Sequence, residues 1–395
     1  QDADHDGWPE WQSPTQTGFP TPIFDRFLPN AQAAPAASIE APSLAGLLLN
    51  EINLLYSLCP ANLRHLLPQT LIDMARQLQA SLANDWQSKK RLTYRDRDSH
   101  ASPAGLVLTE ASQDASLRVR KKLPFPQRLL VTAQSTAEET RTGSLTIFGK
   151  VAAGAALEET IAFIKTPWIG GRMNALTQGP FHQVERCIAA GLRPGTAVQL
   201  CTIDFTLADG ACQFPLLDPN LPDSLRAPAV DLLKEQLGQP GGASQFFGLP
   251  GADELTITPM FSAWLVDLLL RQDERMLAVK VYQQLLDFTA RAVETTGLPW
   301  SEYRASDGNP GGERGGLASL LPLHSLLRLL GVQSFSGSQV VLDGLSCLPG
   351  TIHLNYRLWQ CEFTAQSTTL RCGDSPPVII QEPGIHRVVF EKNVV

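Results

Sequence analysis

Residues 43–59 read SLAGLLLNEINLLYSLC, and residues 68–86 read PQTLIDMARQLQASLANDW. Apolar side chains recur in both stretches at the three- and four-residue spacing of one helix face. Ser43 can cap the first helix, and Pro60 ends it. The two stretches therefore predict an antiparallel pair of helices joined by a short connection.

Helical spacing returns after residue 257. Thr258 followed by Pro259 is typical of a helix start, and the helix that follows is expected to run to about Asp273. Two more helices are predicted at 276–297 and 317–331, each of which ends at a glycine. These segments are expected to form further helical hairpins.

Between these helical regions the pattern changes to short alternating runs. The sequence predicts strands at 106–110, 116–120, 128–134, 144–151, 159–164 and 197–205, with one helix at 180–191. Residues 105–217 are thus expected to form a mostly-β module that carries one helix. Short strand-like runs from residue 332 onward predict a small C-terminal β-sandwich.

This pattern predicts a mixed α and β protein with four segments. Residues 1–104 and 218–331 are expected to be two parts of one helical domain. Residues 105–217 form the inserted mostly-β module, and residues 332–395 form the C-terminal β-sandwich. At 395 residues the chain is long enough for two or three cores.

Composition excludes several classes of function. Apolar residues make up 43% of the chain and charged residues 18%, which is the balance of a globular protein. The net charge of −7 offers no basic footprint for nucleic acid. No apolar run approaches the ~20 residues of a membrane span. Neither nucleic acid nor a membrane is therefore an expected partner, and the oligomeric state stays open.

The seven cysteines are scattered and show no zinc-ligand spacing. Such a set is typical of free thiols in a reducing compartment, which slightly favours the cytoplasm. Cys361 and Cys372 could instead face each other across a hairpin, and that alternative stays open.

The N-terminal segment is dense in carboxylates. Asp2, Asp4 and Asp6 alternate up to a glycine, and Glu10 follows at the ninth position of a calcium-type loop. Calcium prefers several oxygen ligands, which alternate carboxylates can supply. These four residues are therefore candidate Ca²⁺ ligands, and no organic cofactor is expected. The alternative is an aspartate-rich turn whose side chains accept hydrogen bonds from its own backbone.

Three motifs and the order of the elements carry a resemblance. Pro9-Glu10 and then Pro14-Thr15-Gln16-Thr17 are similar to segments of the β-glucosidase and glucosylceramidase branch of six-hairpin glycosidases. The loop Trp300-Ser301-Glu302-Tyr303, with glycines from 308 to 316, resembles a late-barrel loop of glycogen-debranching-like enzymes. The resemblance implies an (α/α) hairpin toroid, of which this chain would form a partial six-hairpin barrel. It also implies that the chain is the C-terminal portion of a longer enzyme.

The resemblance also implies catalytic carboxylates. Glycoside hydrolysis needs two carboxyl groups across the scissile bond. Glu302 is the expected base or nucleophile, and Glu10 or Asp98 the expected acid. The alternatives are a solvated loop position for Glu302 and an ion-pair lattice around Asp98. Thr15 stands where the resembling enzymes carry their acid.

Aromatic and amide side chains complete the expected sugar site. Aromatic faces stack on the C–H faces of sugars, and amides bind the hydroxyl groups. The candidate substrate-binding residues are Trp8, Trp11, Gln16, Phe19, Trp300 and Tyr303. The alternative is that the N-terminal aromatics only fix a long loop onto the fold.

The sequence thus predicts a glycoside hydrolase that acts on a carbohydrate substrate by general acid and base catalysis. Its rival is a non-catalytic carbohydrate-binding or scaffold protein that retains the helical platform.

Overall fold

The structure is a computed structural model that describes most of the chain in two compact units. One unit comprises Gln1–Ala229 with Leu249–Ala252, and the other comprises Val230–Gly248 with Asp253–Val395. The described residues are 6–13, 16, 23–24, 32–89, 92–136, 142–168, 171–206, 212, 215, 221–238, 256–336 and 338–390.

The first unit begins with the helix pair that the sequence predicts. Helix α1 is Pro42–Leu58 and helix α2 is Gln69–Lys89. Strand β1 (Ile39–Glu40) leads into α1 and pairs antiparallel with β2 (Arg95–Asp96), which follows α2. This pairing brings Glu40 next to Arg95, although 55 positions separate them in the chain.

The rest of the first unit is a β-sandwich of two four-stranded antiparallel sheets. We call them sheet 1 and sheet 2. Sheet 1 has the order β3 (Val107–Ala111), β10 (Thr196–Thr202), β5 (Leu129–Ser135), β8 (Arg172–Leu176). Sheet 2 has the order β4 (Ala115–Gln127), β9 (Phe181–Ala190), β6 (Ser144–Lys150), β7 (Ala156–Ala162).

The core of the sandwich comes from alternate positions of both sheets. Val131 and Leu200 of sheet 1 pack in one buried cluster with Ile147 and Cys187 of sheet 2. Because side chains alternate along a strand, the intervening residues point to the outer faces. The same alternation that places apolar side chains in the core therefore determines which side chains lie on the outer faces.

The predicted helix at 180–191 is wrong, since these residues form strand β9. Its buried positions Phe181, Val184 and Cys187 recur every third residue, which imitates a helix face. The spacing comes from register irregularities, which skip Glu185 in the pairing of β9 with β6. A β-bulge adds one residue and shifts the alternation.

The second unit combines helices with short sheets. Helix α3 (Asp223–Gly238) contains the point where the chain passes from one unit to the other. Helices α4 (Pro259–Arg271) and α5 (Arg275–Thr296) form a hairpin, and α6 (Leu323–Leu329) follows further along. Thr258 caps α4, because its side-chain oxygen accepts a hydrogen bond from the N–H of Phe261.

A β-hairpin packs on helix α5. Strands β11 (Thr256–Ile257), β12 (Trp300–Arg304) and β13 (Pro310–Arg314) form a three-stranded sheet. Its residues Ile257 and Tyr303 share a buried cluster with Leu285, Phe288 and Ala292 of α5. The face of α5 that a toroid would offer to another helical hairpin is thus taken by strands.

The C-terminal region consists of two antiparallel sheets, as expected for a small β-sandwich. One has the order β14 (Val332–Phe335), β15 (Gln339–Asp343), β20 (Ile385–Val389). The other has the order β16 (Ile352–Tyr356), β17 (Trp359–Phe363), β18 (Thr368–Cys372), β19 (Val378–Ile380). Trp359 lies between Phe335 and Phe390, with ring centroids 5.6 and 5.3 Å away.

The predicted (α/α) hairpin toroid is therefore wrong. Antiparallel sheets, six in all among the described residues, dominate the architecture. Helices α1 and α2 form one pair, α4 and α5 form another, and strands pack on α5. Sequence periodicity located α1, α2, α4 and α5 but could not show that strands cover an apolar face of α5.

Two further features concern the helices and the cysteines. None of the described helices combines the length and the apolar character that a membrane-spanning segment needs. All seven cysteines are free thiols, including Cys361 and Cys372 on neighbouring strands.

Candidate functional site

A row of polar side chains crosses the outer face of sheet 1. Glu110 lies opposite Gln199, Gln199 opposite Thr132, and Thr132 opposite Asn174, so that each of the four strands contributes one residue. Neighbouring strands are ~4.8 Å apart, so the row spans roughly 14 Å. We call these four residues the polar row.

Neighbouring rows differ in character on the two sides of the polar row. On one side, Gln134 lies between Ala197 and Arg172 in the strand register. On the other side, Leu130 lies opposite Cys201, which in turn lies opposite Val107. The outer face therefore carries a hydrogen-bonding band beside an apolar band, in which Val107 is exposed and Leu130 is buried.

These bands line a depression of about 410 Å³. One end is bounded by Gln32, whose side-chain oxygen accepts a hydrogen bond from the backbone N–H of Asp204 at 3.0 Å. Gly105 lies beside Asp204, and a Cβ at this glycine would approach the Asp204 Cβ to 2.8 Å. Glycine therefore allows the close approach that shapes this end of the groove. We call this depression the sheet 1 groove.

Thr132, Asn174 and Gln199 of the polar row line the sheet 1 groove, together with the charged Arg172 and Asp204. The Nε2 group of Gln199 donates to Glu110 Oε2 at 3.3 Å, which orients both side chains. The one thiol in the apolar band is Cys201, and burial raises its pKa to about 11. This thiol stays protonated at neutral pH and is a poor nucleophile.

A second polar feature of the first unit is a buried charge cluster around Glu40. Arg95 donates to the Glu40 carboxylate through Nε and approaches it through Nη2. Nη1 of Arg95 lies 3.1 Å from Asp85 Oδ1. His100 Nδ1 lies 2.9 Å from Glu40 Oε1 and 3.4 Å from Asp6 Oδ2.

Burial dominates the electrostatics of this cluster. Desolvation raises the pKa of Glu40 to about 7, although Arg95 and His100 lower it. Trp8, which is 2% exposed, covers the Arg95 guanidinium with its ring 4.2 Å away. The Glu40 carboxylate and the Arg95 guanidinium are therefore held away from water, whereas His100 at the edge of the cluster is exposed.

The structure places the N-terminal candidates in this cluster or beside it. Trp8 is buried under Arg95, so its face is not open to a sugar. Glu10 is 3% exposed and forms a backbone bridge with Glu40. Asp98 is exposed and pairs with its neighbour Arg97 at 2.9 Å.

Of the remaining N-terminal candidates, the structure describes Gln16 and Trp11. Gln16 folds back, and its Oε1 accepts from the backbone N–H of Gln12 at 2.8 Å. Trp11 is half-buried. Phe19 lies outside the described residues, as do Thr15, Asp2 and Asp4.

The loop candidates of the second unit lie on a β-hairpin. Glu302 is half-buried on β12, opposite Gly311 of β13. Tyr303 is fully buried in the cluster that packs on α5, and the Trp300 indole donates to Thr296 Oγ1 at 3.0 Å. Tyr303 is therefore a core residue, and no face of it is open to a sugar.

In the part of the chain that the structure describes, one set of side chains could hold a metal ion. The ligand atoms of Asp6, Glu40 and His100 all lie within 4.8 Å of one another. Imidazole nitrogen suits Zn²⁺ or a similar transition metal, whereas calcium takes oxygen ligands. Asp6 and Glu10 are the predicted calcium ligands that the structure describes, and of these two Asp6 belongs to the set.

Sequence reasoning missed both the polar row and the charge cluster. Strands at 128–134 and 197–205 were predicted, but alternation alone does not say which strands are neighbours. Glu40 had no local motif, and its partners Arg95 and His100 come from the far side of the helix pair. The one usable signal was the run of polar residues at alternate positions of the predicted strands.

Comparisons with known proteins give no family. No protein-family model matches this chain, and no curated protein matches it. The resemblance to six-hairpin glycosidases is wrong, because the described chain is built mainly from antiparallel sheets and no family match supports it.

Proposed function

We propose that this protein binds a carbohydrate chain in the sheet 1 groove. The observation that carries the proposal is the polar row, which sets four hydrogen-bonding side chains in register across four strands. A glycan offers hydroxyl groups along its whole length, so a row of fixed polar groups matches it better than a single polar pocket does.

The chemistry of the polar row suits hydroxyl groups. Gln199 and Asn174 each carry both a donor and an acceptor, and Thr132 has a hydroxyl that can do either. Sugar hydroxyls also donate and accept, so carboxamides and hydroxyls can satisfy both roles. Glu110, at one end of the row, accepts from Gln199 and orients that side chain.

The apolar band suits the other side of a sugar ring. Leu130, Cys201 and Val107 follow one another across three strands beside the polar row. A pyranose has apolar C–H faces between its hydroxyl edges, and these can pack on an aliphatic surface. Among the described residues that line the sheet 1 groove none is aromatic, so the proposed binding by these residues depends on hydrogen bonds more than on stacking.

The scaffold favours binding because the row is held on paired strands. Side chains on a rigid sheet lose less conformational freedom on binding than side chains on a loop. The contact between Gln199 and Glu110 reduces that freedom further.

A direct test measures the affinity for maltohexaose and cellohexaose by isothermal titration calorimetry. Thr132→Ala and Asn174→Ala should each weaken binding about fivefold, which corresponds to about 1 kcal/mol for one hydrogen bond. Thr146→Ala is the matched control, because Thr146 lies on β6 of sheet 2 and bonds Thr160. Equal losses in all three variants, or no binding by the wild type, would rule out the sheet 1 groove as a glycan site for these probes.

A second candidate function is hydrolysis of the glycosidic bond, and it depends on Glu302. This carboxylate is half-buried on β12 and makes no ion pair within the described residues. Half-buried carboxylates can act as general acids or bases. The second carboxylate that hydrolysis needs has no assigned position in this unit.

Turnover of an aryl glycoside tests the catalytic proposal. Glu302→Gln should lower kcat at least 100-fold, because general acid and base groups contribute at least that much. Glu313→Gln on β13 is the control, since Glu313 is an exposed carboxylate of the same hairpin. Similar turnover in both variants would remove Glu302 from the reaction.

Calcium binding by Asp2, Asp4, Asp6 and Glu10 stays a prediction. A rise in melting temperature with CaCl₂ that is absent with MgCl₂ would support it. Equal melting temperatures in CaCl₂ and in EDTA would rule out this calcium site.

A further inference from the structure

The outer face of sheet 2 carries an unusual pair of like charges. Arg118 of β4 and Arg186 of β9 are directly opposite each other in the strand register. Directly opposite residues of an antiparallel pair lie on the same face, and like charges there repel each other. Both side chains are exposed.

A third arginine joins this pair. The register shifts between Arg118 and Lys121, and Arg120 has a positive φ of 50° within this irregular stretch. Bulges of this kind redirect side chains. Arg120 consequently lines the same depression as Arg118 and Arg186, whose volume is about 570 Å³.

The three arginines have no acidic partner within the described residues. Glu185, which also lines the depression, is 3.2 Å from Lys150. Arg186 stacks on Phe148, with its guanidinium carbon 4.2 Å from the ring centroid. Stacking uses the flat face of the guanidinium and leaves its N–H edges available to a ligand.

We call the depression that Arg118, Arg120 and Arg186 line the arginine groove. We infer that the arginine groove binds a phosphate group, either as the free ion or as a phosphate monoester. Phosphate carries about −1.5 to −2 charges at neutral pH and can accept hydrogen bonds on three or more oxygens. Guanidinium groups bind phosphate through two parallel hydrogen bonds. Without an anion the three guanidinium groups repel one another, whereas a bound phosphate attracts all three.

Two neutral groups of the depression can add donors. Ser116 supplies a hydroxyl and Gln183 supplies a carboxamide N–H. Glu185 would oppose an anion, but Lys150 compensates its charge. The site lies on the opposite sheet from the polar row, so it is independent of the proposed glycan site.

The test is a titration of the full chain with sodium phosphate at constant ionic strength, balanced with sodium chloride. Phosphate should bind in the millimolar range and raise the melting temperature above that in chloride alone. Arg118→Gln and Arg186→Gln should each weaken binding at least tenfold. Arg371→Gln should leave it unchanged, since Arg371 is an exposed arginine on strand β18 of the second unit.

The same variants separate a binding role from a structural one. Without phosphate, Arg118→Gln should melt at the same temperature as the wild type or above it, because it removes a repulsion. Arg186→Lys keeps the charge but loses the paired hydrogen bonds, and should bind phosphate several-fold more weakly than the wild type.

The source of the phosphate group is distinguished by a second titration with glucose 6-phosphate against glucose. Tighter binding of the ester than of inorganic phosphate identifies a monoester site, and equal affinity identifies a site for the ion. The inference is overturned if phosphate at constant ionic strength has no more effect than chloride. It is also overturned if Arg371→Gln weakens binding as much as Arg118→Gln does.

Discussion

Thr132 and Gln199 face each other across strands β5 and β10, on the outer side of the sandwich. Their backbone neighbours Val131 and Leu200 point the other way, into the core. One alternation therefore fixes both the packing of the sandwich and the position of the polar row. A change of register by one residue would bury these polar side chains and expose the core.

The contact between Glu110 and Gln199 predicts non-additive effects on glycan binding. Glu110→Ala should weaken maltohexaose binding about threefold, because it releases the Gln199 side chain that it orients. In the double variant Glu110→Ala with Gln199→Ala, affinity should equal that of Gln199→Ala alone. Calorimetry on the three variants measures this coupling. Additive losses would mean that Glu110 contacts the glycan by itself.

Arg95 should be essential to the stability of the first unit. It pairs with both Glu40 and Asp85 and is 8% exposed. Arg95→Met leaves buried carboxylates without compensation and should lower the free energy of unfolding by about 3–5 kcal/mol. Arg76→Met is the control, because Arg76 forms an exposed ion pair with Asp73. This substitution should lower the free energy of unfolding by less than ~1 kcal/mol. Urea denaturation of both variants provides the comparison.

Glu40 should make stability depend on pH. Burial raises its pKa from 4.5 to about 7, so the folded state favours the protonated form. The stabilisation of the folded state by protonated Glu40 is therefore fully present below pH 4.5 and is lost as the pH rises through 7. The groups that face it are Arg95, His100 and Asp6.

The variant Glu40→Gln isolates this contribution. Between pH 4.5 and 7.5 the wild type should lose about 3 kcal/mol relative to Glu40→Gln. Chemical denaturation of both proteins at several pH values gives the difference. A constant difference over this range would show that Glu40 is ionised throughout, held by Arg95.

Trp359 should be the main stabilising residue of the C-terminal sheets. It is 2% exposed and packs between Phe335 and Phe390. Trp359→Ala should cost about 3–5 kcal/mol of unfolding free energy in the second unit. Tyr356→Ala, at a residue that is 47% exposed, should cost about 1 kcal/mol. Thermal unfolding monitored by calorimetry tests this, and equal effects would contradict the packing role.

Local signals predicted several elements well. Apolar spacing located α1, and the Thr258-Pro259 pair located the start of α4, whose cap the structure confirms. These features depend on residues that are a few positions apart in the chain, and helix periodicity and capping are patterns of such residues.

Long-range arrangements were not predictable in the same way. Bulges gave β9 the spacing of a helix, and strands rather than helices cover α5. The polar row and the Glu40 cluster join residues that are distant in the chain, such as Glu110 and Gln199, which are 89 positions apart. Their partners are chosen by sheet pairing, which single-sequence patterns do not encode.

Hydrogen–deuterium exchange with and without maltohexaose tests the proposed glycan site most directly. The account predicts slower exchange in peptides that cover 129–135, 172–176 and 196–202, which form the floor of the sheet 1 groove. Peptides that cover 144–150 and 156–162 of sheet 2 should be unchanged. Protection confined to sheet 2 or to the second unit, or no protection at saturating glycan, would contradict it.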